Sequence, residues 1–166
     1  MKQDNAAINL DESFARAVYA LDLSSVLNRL IYVDGWYKRS AKAAIAQYRN
    51  FLILKKKYGK EHKLPPSYEV DEVWHAHVLH TEEYAQFCTD IFGRFLHHHP
   101  HLGKEASSKE ELAQLFEKTQ LLYYQEFGCY LETIPKRAYR QKILVLLTAI
   151  KTRFLPGVSL KKISSP

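Results

Sequence analysis

Asp71 to His101 reads DEVWHAHVLHTEEYAQFCTDIFGRFLHHHPH and holds seven of the eight histidines in a chain of 166 residues. Its apolar side chains Trp74, Val78, Phe87 and Ile91 fit helical packing positions, and no strand-like alternation runs through it. Pro65-Pro66-Ser67 lies just upstream, where each proline forces the preceding residue out of helical geometry. A helix is therefore predicted from Tyr68 to about Phe92, capped by Ser67 and stopped or kinked at Gly93.

Working outward, the same period recurs on both sides. Upstream, Phe14, Ala17, Val18 and Leu21 form one apolar face behind Asp11-Glu12. Val26, Leu27, Leu30 and Ile31 form a second between Leu23 and Val33, with Ser24 or Ser25 as cap and Asp34-Gly35 as the break. Trp36 to Tyr58 makes a third helix, in which Tyr48, Phe51, Leu52 and Leu54 mark the apolar side and Lys55-Lys56-Lys57 suit the negative end of the helix dipole before Gly59. Downstream, Ser107 with Glu110 and Ser108 with Glu111 offer overlapping capping boxes for a helix running to Phe127, ended by Gly128. Pro135 opens a last amphipathic pattern carrying Ile143, Leu144, Leu147, Ile150 and Phe154. The expected fold class is all-α, a single-domain bundle of five to six helices over residues 11–156, with a flexible N-terminus at 1–10 and a basic flexible C-terminus at 157–166.

Composition supports a folded globular chain, because 46% hydrophobic and 25% charged residues are ordinary globular values. The formal charge of +6 is concentrated toward the C-terminal end and permits an acidic protein or RNA as partner without requiring one. Two cysteines with no CxxC spacing suggest neither a disulfide framework nor a zinc ribbon. With no apolar leader and no run of roughly 18 uncharged apolar residues, a cytoplasmic protein without a membrane-spanning segment is expected.

Helix arithmetic sorts the candidate chemistry. At about 100° per residue, Asp71 and His75 share one face, and His77, Thr81, Tyr84 and Cys88 share another. His75 and His77 diverge by about 200°, so a regular helix does not let both bind one ion, and the HExxH pattern of zinc proteases is absent. If Gly93 folds the chain back, a histidine of the 97–101 run can meet the helix. The candidate metal ligands are Asp71, His75, His77, Cys88 and His98, a nitrogen, oxygen and sulfur donor set suited to zinc or iron.

The runs Tyr48-Arg49-Asn50-Phe51-Leu52, Pro65-Pro66-Ser67, Val70-Asp71-Glu72-Val73-Trp74-His75-Ala76-His77 and Phe92-Gly93-Arg94-Phe95-Leu96-His97-His98 resemble the helical domain of the glycine-rich domain-containing protein-like family. The resemblance spans about residues 23–103 and places Asp71, Trp74, His75, His77, Thr81, Tyr84, Cys88, Gly93, His98 and Pro100 in the family pattern. It leaves out His80, His99 and His101. It implies an α-helical domain and brings no established enzymatic reaction. The glycine-rich tail that names the plant members is missing here, since the chain has only six glycines.

Three functions compete. The first is a helical module holding a divalent metal in a structural or regulatory role. The second is a metal-free module that contacts an acidic partner or RNA through a basic face. The third is a small metal-dependent hydrolase or oxygenase with a histidine as base or open-site ligand.

Overall fold

A computed structural model describes residues 12–98 and 108–135. Helix α1 spans residues 12–20. It is followed by α2 (Ser24–Tyr32), α3 (Lys38–Tyr58), α4 (Tyr68–Val78), α5 (Thr81–Phe87) with a π-helical turn at Cys88–Phe92, and α6 (Lys109–Phe127). The fold is all-α, and no strand occurs among the described residues. The predicted final helix past Pro135, and the termini at 1–10 and 157–166, fall outside them.

Helix α3 is the axle, packing against α2, α4 and α6. Its Tyr48, Phe51, Leu52 and Leu54 are fully buried, as are Val18 of α1, Val26 and Leu30 of α2, and Val70 and Val73 of α4. These residues form one continuous hydrophobic core. Polar bonds then fix α6 against α3, where Asn50 Nδ2 donates to the Tyr123 hydroxyl at 2.9 Å and Lys57 Nζ reaches Glu126 at 2.8 Å. The segment after Gly128, whose φ of 70° ends α6 in the left-handed region, is pinned by Gln120. That amide accepts from Leu131 N–H at 2.8 Å and donates to its carbonyl at 3.1 Å.

Local signals decide most helix ends. Ser67 accepts from Val70 N–H at 3.3 Å and Ser108 from Glu111 N–H at 3.1 Å, as their sequence positions predict. The start of α2 differs: neither Ser24 nor Ser25 caps it, and Asp22 instead accepts the Ser24 N–H at 2.9 Å. The Asp22 carboxylate also accepts from the Ser24 hydroxyl. Ser67→Ala is expected to lower the free energy of unfolding by about 1 kcal/mol, measured by urea denaturation. An unchanged midpoint would show that the α4 N-terminus does not depend on that hydroxyl.

The principal correction concerns the central stretch. The helix predicted from Tyr68 to Phe92 is two helices, because α4 stops at Val78 and His80, with φ −88° and ψ 68°, turns the chain before α5 begins at Thr81. Glu82 and Glu83 fall in the first turn of α5, where acids favour a new start. The spacings that place Thr81, Tyr84 and Cys88 on the His77 face of a single helix therefore do not apply.

Candidate functional site

Asp71 and His75 lie one helical turn apart on α4, the first half-buried and the second exposed. Past the π-helical turn, Gly93 adopts φ 68°, a conformation glycine reaches without the steric penalty of a Cβ, and it turns the chain back toward α4. The returning strand of backbone is anchored at Leu96. Its carbonyl accepts from the Tyr84 hydroxyl at 2.5 Å, and its N–H donates to Cys88 Sγ at 3.4 Å.

This anchoring delivers His98. Its ring stands edge-on to Trp74 with centroids 4.5 Å apart, and its Nε2 lies 2.9 Å from Asp71 Oδ1. The His98 side chain is 5% exposed and that of Asp71 37%, so the imidazole is enclosed while the carboxylate keeps an open side. The His75 ring lies 5.8 Å from that of His98. Asp71, His75 and His98 are thus brought together, as the predicted fold-back at Gly93 requires. Among the described residues, no group of three or more His, Cys, Asp and Glu side chains already has the arrangement of a metal site.

His77 and Cys88 go elsewhere. His77 is 2% exposed in the core, with Nδ1 3.0 Å from the Tyr48 hydroxyl and its ring against Tyr84 and Phe87 at 4.9 and 5.1 Å. Burial pushes its pKa down to about 4, with Glu83 opposing and His80 adding to the shift. It is a neutral core imidazole at physiological pH. Cys88 is fully buried, and its sulfur accepts the Leu96 amide. Its contribution is to hold the segment that carries His98.

Next to the Asp71 and His98 pair lies a pocket of about 280 Å³, walled by Trp74, Leu64 and Pro66 and edged by Lys55, Lys60 and Lys63. Asp71 is shared between the pair and the pocket. Reading the three lysines at 55–57 only as helix-end charges misses Lys55. The signal was available: Tyr48, Phe51, Leu52 and Lys55 have the 0, 3, 4, 7 spacing of one helix face, so Lys55 continues the buried stripe.

The family model described as UCP032817-like matches residues 24–154. Over 89 residues the chain is 33% identical to glycine-rich domain-containing protein 1 and 30% identical to glycine-rich domain-containing protein 2, both of Arabidopsis thaliana. Each alignment covers 51% of this chain but 11% of the plant protein, so the chain matches about a tenth of the length of these curated relatives. No solved structure matches it. No helix among the described residues is long and apolar enough to cross a membrane.

Proposed function

The chain belongs to the UCP032817-like family, related to the plant glycine-rich domain-containing proteins, and from that premise we propose that it is a helical module binding one divalent metal, zinc or iron, at Asp71, His75 and His98. The role is structural or regulatory. The observation that carries the reading is the 2.9 Å separation of His98 Nε2 and Asp71 Oδ1. Two ligands at about 2.0–2.2 Å from one tetrahedral ion sit roughly 3.4 Å apart, so an ion replacing the proton between these atoms needs them to part by only about half an ångström. His75 is exposed and one turn below Asp71, which leaves its ring free to swing toward the shared ion.

The physical consequence is a clasp. The ion would tie α4 to the segment following Gly93, two pieces of chain otherwise joined by the Trp74 ring and by its N–H through the Tyr84 hydroxyl to Leu96. Binding to the folded state alone stabilises it by mass action. Elemental analysis of protein purified without a polyhistidine tag is expected to find about one zinc or iron per chain, and added zinc should raise the melting temperature of stripped protein. His98→Ala and His75→Ala should each lose the metal, whereas His77→Gln should keep it, because His77 lies in the core with Tyr48. Near-zero stoichiometry with no zinc-dependent rise in melting temperature would refute the proposal.

A further inference from the structure

The three lysines that end α3 meet three different fates. Lys57 Nζ pairs with Glu126 at 2.8 Å. Lys56 Nζ lies over the rings of Phe14 and Phe92, at 5.2 and 5.7 Å. Lys55 alone turns toward the pocket, its Nζ 5.9 Å from the centroid of the Trp74 ring. No carboxylate lies within ion-pairing distance of Lys55 among the described residues. Burial and, second, the Arg94 guanidinium both push its ammonium below the ordinary lysine pKa.

A partly desolvated cation without a counter-ion is costly, and an anion entering beside it recovers that cost as a charge-assisted hydrogen bond. Lys60 and Lys63 at the rim add attraction. The acids of the same pocket are Glu61 and Asp71, and Asp71 Oδ1 is already engaged by His98. A volume of about 280 Å³ is at the small end for ligand pockets and suits a small molecule. We propose that this pocket binds a small organic oxyanion, a phosphate monoester or a carboxylate, which pairs with the Lys55 ammonium and rests its apolar body against Trp74 and Pro66. The pocket shares Asp71 with the proposed metal site but needs no metal, since neither Lys55 nor Trp74 is among the metal ligands proposed above.

The test titrates inorganic phosphate, phenyl phosphate and benzoate into the full chain, in phosphate-free buffer containing EDTA, followed by tryptophan fluorescence and amide chemical shifts. Saturable binding of phenyl phosphate or benzoate below about 1 mM is expected, with inorganic phosphate weaker because it lacks the apolar body. The relative affinity of the two organic probes separates phosphate from carboxylate as the preferred head group. Lys55→Met keeps the aliphatic stem over Trp74 and should weaken binding about tenfold or more. Lys63→Met, at an exposed position, should weaken it severalfold without threatening the fold, and Lys118→Met on the exposed side of α6 should leave it unchanged. If Lys55→Met does not fold, Lys63→Met and the shift of the Trp74 indole resonance decide the matter. Absence of saturation by all three probes up to about 10 mM overturns the inference. So does equal binding by folded Lys55→Met and the wild type, or a shift map that avoids Trp74. With EDTA present, failure of the metal titration and failure of this one are separate results.

Discussion

Trp74→Ala is expected to lower the free energy of unfolding by about 4 kcal/mol, the largest effect of any single truncation proposed for this chain. Trp74 is 4% exposed and joins elements distant in sequence. Its ring meets Phe51 of α3 at 5.8 Å and His98 at 4.5 Å, and Lys55 Nζ lies above it. Its indole N–H donates to the Tyr84 hydroxyl at 2.8 Å, and that hydroxyl donates onward to the Leu96 carbonyl at 2.5 Å. Alanine therefore leaves a cavity, removes a donor from a buried chain of hydrogen bonds and strips the wall against which His98 rests. Tyr84→Phe isolates the polar part and should cost about 2 kcal/mol, because it strands the Trp74 N–H and the Leu96 carbonyl while keeping the ring. Urea denaturation of both variants is the measurement. A Trp74→Ala loss below about 1 kcal/mol would mean that the core closes over the gap, and the linking role assigned to the indole would fall.

Acidification is expected to cost about 3 kcal/mol of stability between pH 6.5 and pH 4 through His77 alone. In the folded chain this imidazole has a pKa of about 4, below its ordinary 6.5, because burial among Tyr48, Tyr84 and Phe87 penalises the charged ring. Below pH 6.5 the unfolded chain takes up a proton that the folded chain refuses. Stability is thus complete above pH 6.5, declines as the pH falls and levels off for this group below about pH 4. Carboxylates whose folded pKa is lowered, such as Glu126 held by Lys57 and Tyr58, lose their contributions below the ordinary carboxylate pKa, at the acid end of this range and beyond. Urea midpoints recorded across this range for wild type and His77→Gln separate the two sources. Glutamine does not titrate, so its profile should lack the His77 slope and keep only the carboxylate losses at the acid end. Parallel profiles would show that His77 is not the titrating group.

Much of the fold was legible because helix signals are local. The apolar period of α2 and α3, the Ser67 and Ser108 caps and the stops at Gly93 and Gly128 each involve residues within a few positions of one another. The break at His80 was not legible. Nothing between Val78 and Thr81 is a glycine or a proline, and the turn is stabilised by burial of Tyr84 and Phe87 against the ring of His77, contacts that exist only once the chain has folded.

The candidate site divides along the same line. Helix arithmetic by itself determined that Asp71 and His75 share a face that His77 does not, since that follows from a fixed rotation per residue. Gly93 stood out in the sequence as a stop or kink where the chain could fold back, and its φ of 68° in the structure is a left-handed conformation that favours the one residue without a Cβ. Only the tertiary structure decided which histidine of the 97–101 run the described chain places against the Asp71 carboxylate, because packing of Leu96 under Tyr84 and Cys88 sets where the returning segment ends. It also sent Cys88 and His77 into the core. Depth of burial depends on what other helices cover, and a pattern along one helix carries no record of that.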